Sequence, residues 1–154
     1  MKSTTLSIML LVTISCQVAS PVAQSQVSDA RVIRYYGYDD CILLANKSTM
    51  AVLCPAAGGR VLQYSINGKN ALYLPSGDEG WTLDSGKPQG SMMAGRFDIG
   101  PEQTIPGHPR LWSGRWSAQI TGARSARLTS VKDRPTGVQL IREFELAEGS
   151  SRLT

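Results

Sequence analysis

The chain has 154 residues, of which 42% are hydrophobic and 18% are charged, values typical of one ordinary globular domain. Its formal net charge is +4, but the basic residues are scattered among acidic ones, which argues against a nucleic-acid-binding stripe. One histidine and three unclustered cysteines provide too few ligands at the usual spacing for a metal site. The composition therefore excludes several classes of function and selects none.

The N-terminal segment, residues 1–25, has the pattern of a secretory signal peptide. Its apolar run, Leu6–Ile14, is too short to span a bilayer as a helix. Ala23 and Ser25 are small residues at the two positions that a signal peptidase reads, so we predict cleavage after Ser25 and a secreted or periplasmic protein. The alternative is an envelope lipoprotein, because the residues that end at Cys16 loosely resemble a lipobox. Contact with a membrane would then run only through that lipid anchor.

The mature domain, residues 26–154, is predicted to contain an early β-hairpin with a cysteine in each strand. Asp40–Asn46 and Met50–Cys54 both have the composition of strands, apolar on both faces as in a covered sheet. A hairpin centred on the intervening turn places Cys41 opposite Cys54, in a pair whose α-carbons are roughly 4.5 Å apart. That separation permits a disulfide. Two buried free cysteines acting as small apolar residues are the open alternative.

Further strands predict an all-β fold of the antiparallel β-sandwich type. Asn67-Gly68 favours a type I′ hairpin turn, and Gly58-Gly59 indicates a tight turn or a close backbone approach. Amphipathic helical periodicity is absent after the signal segment. The predicted strands are Val32–Gly37, Arg60–Ile66, Lys69–Leu74, Trp116–Thr121, Ala126–Val131 and Val138–Leu146, with a further strand that starts at Ser151–Thr154.

Residues 92–116 form the segment richest in chemically useful side chains, and they lack the period of a strand or a helix. Long loops inside compact domains are usually functional or disordered, and the aromatic content here argues against disorder. Sugar recognition requires planar donors, carboxylate acceptors and aromatic faces. The loop supplies these in Arg96, Asp98, Glu102, His108, Arg110 and Trp112.

A structural interpretation of the same loop is equally concrete. A salt bridge from Arg96 to Asp98, or from Arg110 to Glu102, would pin the loop, and Trp112 and Trp116 would anchor it in the core. His108 is flanked by Gly107 and Pro109 and is expected to be exposed. Its ordinary pKa near 6.5 suits proton transfer, so His108 and Glu102 are the candidate catalytic pair. A surface histidine without a role is the alternative.

The segment from Asn46 to Leu74 resembles the N-terminal portion of galactose mutarotase-like, or aldose 1-epimerase-like, proteins, and the similarity extends over roughly Cys41–Thr154. The similarity is closest to exported bacterial members of that superfamily that are uncharacterised. It implies a β-supersandwich opened by two hairpins joined by a glycine-containing turn. Gly95-Arg96-Phe97 looks like the Gly-Arg-aromatic segment that contributes a sugar-contacting arginine. Asp98–Gly100 replaces the asparagine and second arginine of the family pattern.

Family members are longer, and their general base, a glutamate, and their acid histidines lie in later parts of the chain. The resemblance therefore implies that residues 26–154 are the N-terminal part of a larger domain. A sheet without its partner would expose apolar faces, which predicts either a homodimer or poor solubility.

Two functional hypotheses follow from these patterns. The first is an exported domain that binds a hexose or an oligosaccharide; if active, it would interconvert aldose anomers by general acid and base catalysis without a cofactor. The second is a non-enzymatic structural or protein-interaction module of the cell envelope.

Overall fold

The computed structural model describes residues 30–88, 92 and 94–154 and confirms the all-β prediction. The described part of the chain contains two antiparallel sheets, and in each sheet the strands follow one another in sequence order. The first sheet contains β1 (Ala30–Tyr35), β2 (Tyr38–Ala45), β3 (Thr49–Cys54), β4 (Arg60–Ile66) and β5 (Lys69–Asn70). The second contains β6 (Ser117–Gly122), β7 (Ser125–Thr129) and β8 (Ile141–Glu145).

The β2–β3 hairpin has the predicted register. Ile42 pairs with Leu53 and Leu43 with Val52, so that Cys41 and Cys54 fall opposite each other at the next position. Both cysteines are fully buried and free in the structure. Their hydrogen bond and their burial raise the pKa of the Cys54 thiol. The predicted register is therefore confirmed. The structure has both cysteines as free thiols. A disulfide between them stays a prediction.

The two central strands bury side chains on both faces, as the apolar sequence predicts. Ile42, Leu44 and Leu53 belong to a core shared with the second sheet, which contributes Leu128 and Phe144. On the opposite face lies a second core, made of Tyr38, Cys41, Leu43, Val52, Cys54, Ala56, Ala57, Leu62 and Met92. The five-stranded sheet is therefore covered on one face by the three-stranded sheet and on the other largely by loops.

The first strand differs from its predicted bounds because a turn begins inside them. β1 ends at Tyr35, and Tyr36 and Gly37 both adopt positive φ angles, 48° and 78°, as a type I′ turn requires. A tyrosine with positive φ is uncommon, so this turn was not apparent in the sequence. The predicted turn at Asn67-Gly68 has φ angles of 49° and 79° and is confirmed.

The strand predicted at Lys69–Leu74 is cut short by Asn70. The Asn70 side-chain oxygen accepts hydrogen bonds from the backbone N–H groups of Tyr64 and Leu72, at 3.0 and 3.2 Å. A side chain thus takes the place of a backbone partner, and asparagine competes in this way wherever a chain turns. Consequently β5 contains only Lys69 and Asn70.

The predicted signal peptide, its cleavage after Ser25 and the lipidation alternative at Cys16 lie outside the described residues. Among the residues that the structure does describe, no helix has the length and apolar character to cross a membrane.

Candidate functional site

The 92–116 loop is tied to the double-glycine turn that precedes β4. The Gly58 N–H donates to the Gly114 carbonyl at 2.8 Å, and the Trp116 N–H donates to the Pro55 carbonyl at 2.8 Å. A Cβ on Gly58 would lie 2.0 Å from the Trp112 carbonyl oxygen, and one on Gly59 would lie 2.6 Å from the Trp116 ring. The predicted close backbone approach is therefore confirmed, and the approaching chain is the loop.

Arg60 fills the space behind this contact, a role that the sequence did not predict. Its side chain is fully buried, with 1% of the residue exposed. The guanidinium donates to the carbonyls of Ala57 at 2.9 Å and Met92 at 3.0 Å, and it also reaches Trp112 O and Ser113 Oγ at 3.4 Å. Burial, reinforced by nearby Arg96, lowers its pKa. A charged residue directly after two glycines, at the first position of a strand, was the available signal.

Four of the predicted site residues meet on the inner side of the loop: Arg96, Asp98, His108 and Trp112, hereafter the Arg96–Trp112 cluster. The Arg96 guanidinium lies 4.6 Å from the centroid of the Trp112 ring and 3.3 Å from Asp98 Oδ2. Asp98 Oδ1 accepts from His108 Nε2 at 2.7 Å. The rings of His108 and Trp112 are 5.3 Å apart. The salt bridge predicted between Arg96 and Asp98 is confirmed.

His108 is buried, so the expectation of an exposed histidine is wrong. Only 1% of its surface is accessible. Its Nδ1 contacts the Pro106 carbonyl at 2.8 Å while Nε2 contacts Asp98, so both ring nitrogens face acceptors. The contact with Pro106 is the largest cause of a raised His108 pKa, and Asp98 adds to it, against the opposing effect of desolvation. The flanking residues, Gly107 and Pro109, are exposed, and they turn the backbone so that the ring points inward.

Arg142, on β8, holds the first part of the loop against the sheet. Its Nη1 donates to the carbonyls of Gly59 and Gly95, at 2.7 and 3.2 Å. Its guanidinium lies 5.1 Å from the Phe97 ring centroid and 4.7 Å from that of Phe144. Desolvation lowers the pKa of Arg142. Arg142 thus fixes the backbone next to Arg96 through the Gly95 carbonyl. The sequence did not identify this role.

The other predicted site residues lie apart from the cluster. Arg110 is exposed and pairs with Asp84 at 3.5 Å, so the predicted pairing with Glu102 is wrong. Glu102 is exposed, and within the described residues it has no ion pair and no hydrogen bond with His108. Trp116 is a core residue, as expected, with its indole N–H donating to the Leu111 carbonyl at 2.9 Å. Trp112 is only half-buried.

The loop contains one short helix, α1 (Pro109–Trp112), that the sequence did not reveal. This turn carries Arg110 outward and Trp112 toward Arg96. In the described part of the chain, no three histidine, cysteine, aspartate or glutamate side chains gather in a way that could hold a metal ion.

The Arg96–Trp112 cluster combines the chemical groups that polyhydroxylated ligands require. Arg96 is a planar donor with five N–H groups, Asp98 is an acceptor, and Trp112 offers an apolar ring. The Arg96 and Asp98 side chains keep 23% and 17% of their surface exposed, respectively. The cluster is therefore preassembled at the edge of solvent. Comparisons with protein families, curated proteins and solved structures give no match for this chain.

Proposed function

We propose that this protein is an exported carbohydrate-binding domain, similar to aldose 1-epimerases, and that it binds a hexose or an oligosaccharide at the Arg96–Trp112 cluster. The observation that carries the proposal is the stacking of Arg96 on Trp112 while Arg96 also pairs with Asp98. A fixed guanidinium and a fixed carboxylate beside an aromatic ring can recognise the vicinal hydroxyls and the apolar face of a sugar.

Rigidity of the loop supports binding, because a preorganised site loses less conformational entropy when a ligand arrives. Arg60 ties the loop to the double-glycine turn from inside, and Arg142 ties the Gly95 carbonyl to β8. A Cβ on Gly95 would lie 2.2 Å from the Val61 carbonyl oxygen, so the chain next to Arg96 is pressed against β4. Arg96 thus projects from a segment with little freedom to move.

The geometry favours binding over catalysis by the predicted pair. A general acid or base must reach the proton that it transfers. His108 is buried with both nitrogens engaged, and Glu102 is exposed and does not contact it. Polarimetry on freshly dissolved α-glucose tests this point. We expect the rate of mutarotation to equal that of buffer alone, and an accelerated rate would restore the enzymatic hypothesis.

A second function, a non-enzymatic structural or interaction module of the envelope, has its own supporting observation. Each polar group at the centre of the cluster already has a protein partner: both Asp98 oxygens and both His108 nitrogens are engaged. A network of this kind is sufficient to hold the loop in place without any ligand.

Calorimetric titration with a panel of neutral hexoses and their oligosaccharides separates the two functions. We expect Arg96→Ala, and also Arg96→Lys, to weaken binding by roughly tenfold or more, because lysine keeps the charge but not the planar fork. Arg34→Ala is the matched control, since Arg34 forms an exposed pair with Asp39 on the β1–β2 hairpin. Circular dichroism melting of each variant checks folding. Absence of heat with every sugar, or equal binding by the Arg96 and Arg34 variants, would favour the structural module.

A further inference from the structure

A cleft of about 570 Å³ lies on the outer side of the segment that carries the cluster. One wall is formed by Gly107, Pro109 and Arg110, at the start of α1, and the other by the turn that follows β7. Its described lining includes Arg110 but neither Arg96 nor Trp112. Residues 107–112 thus present side chains to both places, with His108 and Trp112 facing the cluster.

The rim of the cleft is cationic. Arg110, Lys132 and Arg134 line it, against the single carboxylate of Asp133. Within residues 30–88, 92 and 94–154, neither Lys132 nor Arg134 has an ion-pair partner. Arg110 contacts Asp84 at 3.5 Å, with both side chains more than half exposed, and such a pair contributes little and exchanges readily for a ligand carboxylate.

Asp133 also lines the cleft, but its carboxylate is engaged within its own turn. Asp133 is buried, and its Oδ2 accepts from the Thr136 N–H at 3.1 Å and from the Thr136 hydroxyl at 2.7 Å. The same turn is closed by backbone hydrogen bonds from Gly137 N–H to Asp133 O and from Asp133 N–H to Val138 O. Lys132 and Arg134, on either side of Asp133, are therefore held on a fixed turn.

The lining of the cleft is partly apolar, with Pro109, Val131 and Pro135 contributing. Clefts of this size that combine an apolar lining with a few convergent charges are typical of small-molecule sites. The ligand that fits has an apolar face and a negative group. Nucleic acid fits less well, because the basic residues form a local rim and not an extended stripe.

We propose that this cleft binds the anionic group of an acidic saccharide, such as a uronate, as a site distinct from the Arg96–Trp112 cluster on the other side of residues 107–112. The inference rests on the proposed function and specifies, in addition, that the saccharide carries a negative charge. Arg110, Lys132 and Arg134 bind the carboxylate, and Pro109, Val131 and Pro135 contact the C–H face of the sugar ring.

The test compares binding of galacturonate and glucuronate oligosaccharides with their neutral parents, and of glucose 6-sulfate with glucose, at low ionic strength. The variants are the double substitution Lys132→Gln/Arg134→Gln and a control with the same charge loss, Arg34→Gln/Lys47→Gln, at exposed positions. We expect the unsubstituted protein to bind a uronate roughly tenfold more tightly than its neutral parent. The Lys132→Gln/Arg134→Gln variant should lose the preference for the uronate and still bind neutral sugar. The control variant should keep the preference.

The outcomes separate this inference from the proposed function. Equal binding of acidic and neutral sugars, or an unchanged preference in the cleft variant, would overturn the acidic ligand alone. Absence of any saccharide binding would overturn both proposals. Tighter binding of glucose 6-sulfate than of uronates would support an anionic saccharide with an ester as the source of the charge. Binding of an oligoglutamate peptide as tightly as a uronate would overturn the saccharide assignment.

Discussion

His108 lies between two acceptors, and a neutral imidazole can donate to only one of them. Protonation supplies the second N–H, so that the ring bonds to both the Pro106 carbonyl and the Asp98 carboxylate. Asp98 is also the partner of Arg96. The charge state of one buried ring therefore contributes to the position of the arginine that we propose to contact sugar.

Replacement of His108 by asparagine is expected to destabilise the protein by about 1–3 kcal/mol at mildly acidic pH, because a charged hydrogen-bonded ring is lost from a buried site. The folded-state pKa of His108 is raised from its ordinary value of 6.5. Its stabilising contribution is therefore fully present below the unfolded value and is lost as pH rises through the folded pKa. Urea unfolding of both proteins on either side of that window measures the difference.

The chain contains one histidine, so no other imidazole titrates in the same range. We expect the gap in unfolding free energy between the native chain and His108→Asn to narrow as the solution becomes alkaline. A gap that is equal at acidic and alkaline pH would mean that the pKa of His108 is the same in the folded and unfolded chains, contrary to the raised pKa that its acceptors produce.

All four residues of the Arg96–Trp112 cluster were among those that the sequence singled out, whereas their contacts with one another were predicted only in part. Arg96 and Asp98 are two positions apart, and their pairing needs only local geometry. The contact of His108 with Asp98 spans ten positions, across a segment without any period that would fix its path. Arg110 turned to Asp84, 26 positions away, because α1 directs it outward. Contacts that depend on the course of an irregular loop leave no periodic signal in sequence.

At the scale of elements, the turn at Gly58 and Gly59 positions the loop. Gly58 ends the 3₁₀ helix Pro55–Ala57 with a φ of 76°, a left-handed conformation that favours glycine. The same residue has no room for a side chain, since the Trp112 carbonyl lies where its Cβ would be. The backbone conformation and the loop contact thus both require glycine here.

Substitution Gly58→Ala is expected to cost at least about 3 kcal/mol, because it adds a steric clash with backbone to the left-handed strain. Gly68→Ala is the matched control: its φ is 79°, but nothing lies within 4 Å of an added Cβ. That variant should lose only the conformational part, about 1–2 kcal/mol. Chemical denaturation measures the free energy of unfolding of the two variants. Similar losses of stability would show that the loop backbone moves away from the added methyl group at Gly58.

Strands were predicted correctly where the apolar pattern or the turn residues alone define the pairing. The β2–β3 hairpin has apolar residues on both faces and a short turn, and these fix its register. Asn67-Gly68 fixes the turn between β4 and β5. The prediction failed where a side chain replaced a backbone partner, as at Asn70, or where a bulky residue entered a positive-φ turn, as at Tyr36. Sequence propensity describes neither event.

At the scale of the molecule, the two sheets share one core. Leu128 and Phe144 of the second sheet pack in the same cluster as Ile42, Leu44 and Leu53 of the first. Neither sheet can bury its apolar face without the other, so we expect them to unfold together. Several large apolar side chains are exposed, Val32 and Ile141 among them. Sedimentation of the purified protein would show whether it forms the predicted homodimer or is poorly soluble.

Leu128→Ala tests whether the shared core makes the molecule one cooperative unit. Leu128 is fully buried, and its truncation is expected to cost about 2–5 kcal/mol through lost burial and a cavity. Since Trp116 lies in the same cluster, tryptophan fluorescence and far-ultraviolet circular dichroism should report coincident transitions, shifted together by the substitution.

Ile141→Ala is the control for the same chemistry at the surface. Ile141 pairs with Thr129 on the neighbouring strand but is 58% exposed, so its truncation should cost about 1 kcal/mol or less. If Leu128→Ala lowered only the circular dichroism transition and left the fluorescence transition in place, the two sheets would be separate folding units. The hydrogen bond from Arg142 to the Gly95 carbonyl would then not couple the stability of the loop to that of the second sheet.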